Sequence, residues 1–246
     1  MTIALPNPPP APIIASGAGW LVVEKPAGMS VHNDPGRDLC SLLKVFLESN
    51  KRTLEEINCD RSYGLHPVHR LDKETSGVIL LACRRQVFNQ LAVQFSRGLV
   101  IKHYLALVHG AVGDPGDQDL WQWPLTSSAG GRRSPQGRGT RNPSRTRCRV
   151  RMRSTHYTLL DCQPLTGRTH QIRRHAALAG HPIVGDQRYG SPRACRYVAR
   201  FHNFTRLALH AASIGITPPG FDAIMTFESA GLPPEITKLI EGDKKD

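Results

Sequence analysis

The sequence has few features that would cross-link the fold or anchor the protein in a membrane. Its six cysteines include no Cys-x-x-Cys pair, which argues against a zinc ribbon and against a disulfide framework. The longest strictly apolar runs, such as residues 78–83, are far too short to cross a bilayer. The first residues have no basic start and are broken by prolines, so they do not resemble a signal peptide. We therefore expect a soluble protein in a reducing compartment, and the cytoplasm is the simplest location.

The chain is long enough to form a sizeable hydrophobic core without disulfide bonds or structural metals. A chain of 246 residues can form one large domain or two small subdomains that share a core. Residues 1–18 carry five prolines among the first twelve positions and are predicted to be an extended arm. Order is predicted to begin at Gly19, so that residues 19–246 form a single folded domain.

Hydrophobic spacing predicts a mixture of strands and helices without regular alternation. The predicted strands are residues 20–24, 77–82, 100–108, 150–160 and 206–214, and the predicted helices are residues 38–47, 86–97 and 170–179. This pattern favours an α+β fold, with a mixed, largely antiparallel sheet flanked by helices and loops around a central cleft. The stretch 127–149, rich in Gly, Arg, Ser and Pro, is predicted to be an insertion between elements.

Negative charge is scarce, and positive charge is unevenly placed. Lys and Arg number 32 against 20 Asp and Glu, which gives a formal net charge of +12. This excess favours a polyanionic partner, although solubility alone could also account for it. No acidic residue lies between Asp119 and Asp161, and that window holds Arg132, Arg133, Arg138, Arg141, Arg145, Arg147, Arg149, Arg151 and Arg153. The planar guanidinium group of arginine pairs with phosphates and stacks on bases, so the window is interpreted as a nucleic-acid-binding surface. A basic flexible linker is the alternative.

Two segments place polar side chains beside predicted strands. The first reads His-Pro-Val-His-Arg-Leu-Asp-Lys-Glu-Thr-Ser-Gly from position 66, and its Asp72 lies at the mouth of an apolar strand. A lone Asp on a loop is ordinarily a cap or turn residue, but a buried strand would hold this carboxylate rigidly for chemistry. The second is Lys-His-Tyr from position 102, where Tyr104 is either a core residue or a platform on which a base stacks.

A third segment carries a row of arginines from a loop into a helix. It reads Gly-Arg-Thr-His-Gln-Ile-Arg-Arg-His from position 167 and is followed by Gly-His-Pro-Ile-Val-Gly-Asp from position 180. His170 and His175 are five residues apart, which on a helix does not place them on one face as metal ligands. We therefore expect no metal site, and the arginines are predicted to meet a carboxylate or phosphates.

Together these segments resemble the RluA-type family of RNA pseudouridine synthases. The order His-Arg-Leu-Asp-x-x-Thr-Ser-Gly, Lys-x-Tyr and Gly-Arg-Thr-His-Gln-Ile-Arg is specific to that family. Glu-Lys-Pro-Ala-Gly-Met from position 24 and Arg-Leu-x-Leu-His-Ala from position 206 look like its opening and closing segments. The resemblance covers about residues 19–240, and it implies isomerisation of uridine in RNA to pseudouridine without cofactor or metal. His69, where the related RsuA branch has Gly, favours the RluA branch.

The resemblance also implies roles for individual residues. Asp72 is expected to be the catalytic aspartate, Tyr104 to stack on the uracil and help remove its proton at carbon 5, and Arg173 to pair with Asp72. Arg70 is expected to help displace the target base. The expected substrate-binding residues are Arg70, His69, Ile172, Arg168, Arg132, Arg133 and Arg138. The expected partner is ribosomal or transfer RNA, bound by a monomer that requires no membrane.

Several alternatives stay open at the level of sequence. A noncatalytic RNA-binding protein that kept the fold is the main one, and a hydrolase that uses Asp72 as nucleophile is weaker because no second carboxylate or metal-ligand set accompanies it. Whether Asp72 attacks the sugar or the ring is open, as is the choice between the two RNA classes. Many members of the family carry a small N-terminal RNA-binding module, which is not expected in residues 1–18 because a proline-rich arm is predicted there.

Overall fold

The computed structural model describes residues 8–243. Its strands are β1 (Ile13–Gly17), β2 (Trp20–Lys25), β3 (His66–Pro67), β4 (Ser76–Ala82), β5 (Ile101–His109), β6 (Gln118–Trp121), β7 (Leu125–Thr126), β8 (Arg141–Asn142), β9 (Thr146–Arg153), β10 (Tyr157–Pro164), β11 (Leu209–Ile216) and β12 (Met225–Glu228). Its helices are α1 (Leu39–Ser49), α2 (Lys51–Glu56), α3 (Arg85–Ser96), α4 (Gln171–Leu178), α5 (Pro192–His202) and α6 (Pro234–Gly242).

Internal contacts divide the described chain into two compact units. The first comprises residues 8–101 and 213–229, and the second comprises residues 102–212 and 230–243. Every strand pairing described inside either unit is antiparallel. The predicted α+β class with a largely antiparallel sheet is therefore confirmed. The division of the chain into an arm and one catalytic domain, like the central cleft, stays a prediction.

In the first unit the strands β1, β2 and β4 lie in that order, and β3 also pairs with β4. All seven residues of β4 are buried, as expected for an apolar run in the middle of a sheet. Val78 and Leu80 of this strand share a core cluster with Trp20 of β2 and with Leu91 of α3. The predicted strand at residues 77–82 and the helix at residues 86–97 are thus confirmed, and together they form a rigid base for the loop that precedes β4.

Strand β1 corrects the prediction that order begins at Gly19. Its residues pair with β2, with Gly17 opposite Trp20. The proline-rich N-terminal segment ends at Pro12, and the β-branched Ile13 and Ile14 that follow favour a strand. Gly19, at a φ of +87°, permits the tight turn into β2. The beginning of the predicted arm, residues 1–7, lies outside the described residues.

In the second unit the strands β5, β10, β9 and β6 lie side by side. The single strand predicted at residues 150–160 is wrong, because β9 and β10 form a hairpin there. The amide of Ser154 donates to the carbonyl of Tyr157 over 2.9 Å and closes its turn. A polar Ser-Thr-His sequence at this point favours a turn over a continuous strand.

The β9–β10 hairpin has two different faces. Thr146, Cys148 and Val150 of β9 are buried, and the arginines between them are exposed. The register aligns Cys148 with Cys162 of β10 and Cys162 with Tyr104 of β5, so these three side chains share one face. Because neighbouring residues in a strand point to opposite faces, Arg147 and Arg149 lie on the face opposite Tyr104.

Candidate active site

Asp72 lies on the loop between β3 and β4 in the first unit. Its side chain is half-buried, and the preceding Leu71 is 8% exposed. The amide of Thr75 donates to the carbonyl of Asp72 over 3.1 Å, which closes a turn directly before Ser76, the first residue of β4. The carboxylate is therefore held at the mouth of a buried strand, as the sequence predicted.

Lys25 braces this loop and was missed by the sequence analysis. It is fully buried, and its Nζ donates to the carbonyls of Pro26 (2.9 Å), Met29 (2.8 Å) and Lys73 (3.1 Å). A second hydrogen bond, from the Gly28 amide to the Lys73 carbonyl, is 2.9 Å long. The three ammonium protons are thus used on backbone oxygens, one of them next to Asp72. A lysine at the end of a strand whose first four residues are apolar was the available signal.

His69 has a supporting role in the same loop. Its Nε2 accepts the amide hydrogen of Leu80 in β4 at 3.1 Å, which requires the neutral ring with its proton on Nδ1. The ring stacks on Phe95 of α3, with centroids 5.1 Å apart and an interplanar angle of 23°. The neighbouring Arg70, by contrast, is exposed. His69 therefore fixes the course of the loop, and Arg70 presents a charge to solvent.

Tyr104 lies in β5 and is half-buried against the core of the second unit. Lys102 and Ala106 lie on the same face of the strand, because they are two residues away on either side. Burial lowers the pKa of Lys102 below its ordinary value. The ring thus rests on core residues and keeps part of its surface accessible, which suits both a packing and a stacking role.

Arg173 is buried in α4 and is held by Asp186. Its Nε donates to Asp186 Oδ2 at 2.8 Å, and a terminal nitrogen donates to Oδ1 at 3.0 Å. The amides of Arg188 and Tyr189 also donate to that carboxylate, at 2.9 and 3.0 Å. The guanidinium carbon lies 5.4 Å from the centroid of the Tyr189 ring. The predicted meeting of the arginine row with a carboxylate is therefore confirmed for Arg173, and its partner Asp186 belongs to the Gly-Asp of the third motif.

For Arg174 that prediction is wrong. It is fully buried, and its guanidinium donates to backbone carbonyls, among them Thr126 at 3.0 Å and Thr169 at 3.2 Å. It also donates to the carbonyls of Pro135 and Gln136 in the Arg-rich stretch. Burial lowers the pKa of Arg174. Arg174 therefore ties the stretch to helix α4, and its buried guanidinium is engaged by backbone carbonyls rather than by a carboxylate.

Gly137 makes this close packing possible. Its φ is +83°, and a Cβ at this position would lie 1.9 Å from Thr126 Oγ1 and 3.2 Å from a terminal nitrogen of Arg174. No other residue fits both the backbone conformation and the space. The stretch around Gly137 is thus an ordered loop packed on the second unit, and the flexible-linker interpretation does not hold for it.

The two histidines of the third motif have separate structural partners. His170 has a φ of 53°, and its Nδ1 lies 3.0 Å from the hydroxyl of Tyr189. His175 is buried between Thr146 Oγ1 at 2.9 Å and the carbonyl of Trp123 at 3.0 Å. Among residues 8–243, no group of three His, Cys, Asp or Glu side chains is arranged to hold a metal ion.

The remaining predicted substrate-binding residues differ in their surroundings. Arg132 donates to the carbonyls of Gly190 and Gln187, the latter at 3.1 Å, so its guanidinium is engaged within the protein. Arg133 and Arg138 are exposed, as is Arg168, whose Nε donates to the carbonyl of Pro143 at 3.3 Å. Ile172 is 6% exposed and belongs to the core of the second unit. Exposed arginines therefore lie at four of these five positions, and the guanidinium of Arg132 is the one held by two backbone carbonyls.

Asp72 belongs to the first unit, whereas Tyr104 and Arg173 belong to the second. The pairing of Arg173 with Asp72 stays a prediction, as do the catalytic roles of these three residues. The Asp72 loop and Arg173 are nevertheless held within their own units by contacts that the sequence did not reveal, those of Lys25 and Asp186.

No helix among residues 8–243 is long and apolar enough to cross a membrane. Two solved human structures share the fold. RNA pseudouridylate synthase domain containing 4 matches with a TM-score of 0.72 and 21% identity, over 94% of this chain and 92% of that one. RNA pseudouridylate synthase domain containing 1 matches with a TM-score of 0.69 and 20% identity, over 100% of this chain and 98% of that one.

Sequence comparison gives the family. Ribosomal large subunit pseudouridine synthase C of Vibrio vulnificus (strain CMCP6) is 36% identical over 228 residues, which cover 90% of this chain and 65% of that protein. The protein of the same name from Escherichia coli (strain K12) is 37% identical over 212 residues, covering 85% of this chain and 63% of that protein. The chain thus spans less than two thirds of the length of these relatives. The model of the RNA pseudouridylate synthase family matches residues 19–178. The chain therefore belongs to the RNA pseudouridylate synthase family, as its resemblance to the RluA-type enzymes predicted.

Proposed function

We propose that this protein isomerises uridine in RNA to pseudouridine, with Asp72 as the catalytic carboxylate. The observation that carries the proposal is the bracing of the Asp72 loop. Lys25 and Gly28 hold the Lys73 carbonyl, and the Thr75 amide holds that of Asp72. A carboxylate that must meet one atom of a nucleoside needs this kind of rigid support.

The reaction exchanges one bond for another within the uridine. The bond between the ribose and the ring nitrogen breaks, a bond forms between the ribose and carbon 5, and carbon 5 loses a proton while the freed nitrogen gains one. Atoms and charge balance without an oxidant, a reductant or a cofactor. Asp72 acts as the nucleophile in its ionised form, and Arg173 favours that form and orients it.

Tyr104 and Arg70 serve the uracil. A uridine in structured RNA must leave its stack before its sugar can be reached, at a cost of a few kcal/mol. Arg70, exposed on the same loop as Asp72, helps displace the base. Tyr104 then provides a ring on which the detached uracil stacks while it turns, and its hydroxyl assists removal of the proton at carbon 5.

The substrate that we favour is ribosomal RNA of the large subunit, which the names of the two bacterial relatives specify for those proteins. Arg133, Arg138 and Arg168 are exposed and are proposed to contact phosphates, whose neutralisation favours binding by counterion release. The single domain, the monomeric state and the cytoplasmic location stay predictions of the sequence.

The decisive experiment maps pseudouridine in an unmodified large-subunit ribosomal RNA transcript after incubation with the protein. We expect the wild type to convert at least one uridine and Asp72→Asn to convert none, because Asn is nearly isosteric but is not a nucleophile. Asp34→Asn, which neutralises an exposed carboxylate in the same unit, is the matched control and should retain activity. RNA binding without any conversion by the wild type would instead support a noncatalytic RNA-binding protein.

A further inference from the structure

Helix α5 presents an outer face with an unusual composition. Cys195 and Val198 are its buried residues. Five exposed residues follow the helical spacing of a single opposite face, and they are Arg193, Arg196, Tyr197, Arg200 and Phe201. An outer helix face normally carries mixed charges and few large apolar groups, whereas this one alternates arginine with aromatic rings.

The two aromatic rings are open to solvent and arranged as a pair. Tyr197 is 54% exposed and Phe201 is 62% exposed, although both types of side chain gain much from burial. Their centroids are 4.9 Å apart at an interplanar angle of 43°. The guanidinium carbon of Arg200 lies 5.3 Å from the centroid of Phe201. The face therefore offers π surfaces with a cation beside them.

The positive charge of this face is not compensated locally. None of Arg193, Arg196 and Arg200 forms an ion pair with any residue in the described part of the chain. The sequence contains no acidic residue between Asp186 and Asp222. Arg200 and His202 in the last turn also interact favourably with the helix dipole, but Arg193 and Arg196 lie outside that turn. A polyanion is the partner that complements such a face.

The inner side of α5 is anchored next to the arginine of the candidate active site. The thiol of Cys195 lies 3.6 Å from the carbonyl oxygen of Asp186, whose carboxylate holds Arg173. The helix begins directly after the segment that contains Asp186 and Tyr189, and Ser191 caps its start. The helix that carries this outer face is thus attached, within the same unit, to the segment that holds Arg173.

We propose that the outer face of α5 binds unpaired nucleotides of the RNA substrate that flank the target uridine. Bases stack on Tyr197 and Phe201, and the three arginines contact the phosphates between those bases. Arginine is suited to both tasks, since its planar group pairs with phosphate and stacks on rings. The inference rests on the proposed function in that the bound strand is taken to be the substrate. A protein partner for this face is the alternative that the experiment must separate.

The test measures binding of a fluorescent oligouridylate of about twelve nucleotides, a length that such surfaces accommodate. Tyr197→Leu with Phe201→Leu keeps apolar surface and removes both rings, so we expect the Kd to rise by roughly tenfold or more. Tyr197→Phe with Phe201→Tyr keeps both rings and should restore wild-type binding. Phe221→Leu removes a ring that is 52% exposed in the first unit and is the matched control.

A second variant tests the charges. Replacing Arg193, Arg196 and Arg200 by Gln should flatten the dependence of log Kd on log salt by roughly two units, because about 0.7 counterion is released per phosphate on a single strand. The control replaces three exposed basic residues of the first unit by Gln, namely Lys51, Arg61 and Arg97, and changes the net charge equally. Thermal unfolding with an unchanged Tm verifies that each variant is folded.

Two outcomes separate the inference from the function on which it rests. If both α5 variants bind the oligouridylate with the wild-type Kd and salt slope, the inference is overturned and the face is left to a protein partner. If the wild type forms no pseudouridine in the ribosomal RNA transcript, the proposed function fails, whatever the oligouridylate binding shows. Loss of binding in both α5 variants, together with unaffected controls, supports the inference.

Discussion

Arg173 and Asp186 form a two-point ion pair in which both side chains are almost completely removed from solvent, with 5% and 0% of their side-chain surfaces exposed. The Asp186 carboxylate also accepts hydrogen bonds from the backbone amides of Arg188 and Tyr189. A buried charge that has lost its partner is expensive, so this pair sets both the orientation of the arginine and part of the stability of the second unit.

Asp186→Ala should therefore lower the free energy of unfolding by about 3–5 kcal/mol, because it leaves a buried guanidinium without its anchoring carboxylate. Asp186→Asn should lose less, since its oxygen can still accept the two amides. Urea unfolding followed by circular dichroism measures both. Asp222→Ala, at an exposed position, is the control and should stay within about 0.5 kcal/mol of the wild type. An Asp186→Ala protein as stable as the wild type would contradict the account of the ion pair.

Lys25→Met should destabilise the first unit and reduce activity together. Methionine keeps the apolar stem but removes the Lys25 donor from the carbonyls of Pro26 and Met29, whereas that of Lys73 keeps the Gly28 amide. Each buried unsatisfied group costs about 1–3 kcal/mol before relaxation. Lys25→Arg should not rescue it, because a planar fork cannot point three donors at those oxygens. Urea unfolding and pseudouridine yield are the measurements, with the exposed Lys51→Met as control. Full activity in Lys25→Met would show that the Asp72 loop does not need this brace.

Stability should depend on pH through His175. Burial lowers the pKa of His175 in the folded protein from the ordinary value of 6.5, so the unfolded chain binds the proton more tightly. The free energy of unfolding should fall as the pH drops below 6.5 and should go on falling until the pH reaches the pKa of the folded state. Urea unfolding at several pH values, from about one unit above the ordinary pKa to about 1.5 units below it, measures this slope. His175→Gln should have a smaller slope than the wild type, and parallel slopes would mean that other groups cause the decline.

Two substitutions distinguish the stacking role of Tyr104 from its role in proton removal. Tyr104→Phe keeps the ring and removes the hydroxyl, whereas Tyr104→Leu removes both. Stacking is worth roughly 1–3 kcal/mol per base, and proton transfer by a positioned group about 100- to 10,000-fold in rate. We expect Phe to bind RNA normally and to stall before product, and Leu also to bind more weakly. A uridine with fluorine at carbon 5 should stall the wild type at the same stage. Wild-type product formation by Tyr104→Phe would leave Tyr104 as a stacking surface only.

Two arginines of the same stretch should behave differently. Arg132→Ala removes donors to the carbonyls of Gln187 and Gly190, so it should lower the Tm. Arg138→Ala removes an exposed charge, so it should leave the Tm unchanged and reduce the salt dependence of RNA binding by roughly one charge unit. Thermal unfolding and salt titrations of binding measure the two effects. An unchanged salt slope for Arg138→Ala would remove Arg138 from the RNA surface.

The sequence predicted the elements whose periodicity is uninterrupted, such as β4 and helix α3. It failed at β9, because arginines on the exposed face hide the alternating buried residues Thr146, Cys148 and Val150 behind a strong charge signal. It also predicted one kind of partner for the whole arginine row, although Arg173 meets a carboxylate and Arg174 meets carbonyls. The partners of Arg174 lie 38 to 48 residues away, apart from Thr169, and no local pattern reveals them.

Helix α5 was missed for a related reason. Its short inward stripe contains only Cys195 and Val198, and the aromatic residues that would suggest a core position point outward instead. In the absence of tertiary contacts, an exposed Phe201 cannot be told from a buried one. Asp72, Tyr104 and Arg173 were singled out as candidates because they lie in whole motifs, whereas the supports Lys25 and Asp186 became evident only from distances.

The loop that contains Arg132 and the loop that follows Asp186 are joined by reciprocal hydrogen bonds, in which an arginine of each loop donates to carbonyls of the other. Arg132 donates to carbonyls at positions 187 and 190, and Arg188 donates to the carbonyls of Gly130 (2.9 Å) and Ala129 (3.3 Å). Insertions or deletions at residues 129–137 would break these hydrogen bonds, whereas residues 138–140 are exposed and lie beyond them. This tripeptide is therefore the place to graft a photocrosslinker or an affinity tag into the stretch without disturbing its attachment, since exposed loop tips tolerate insertion best.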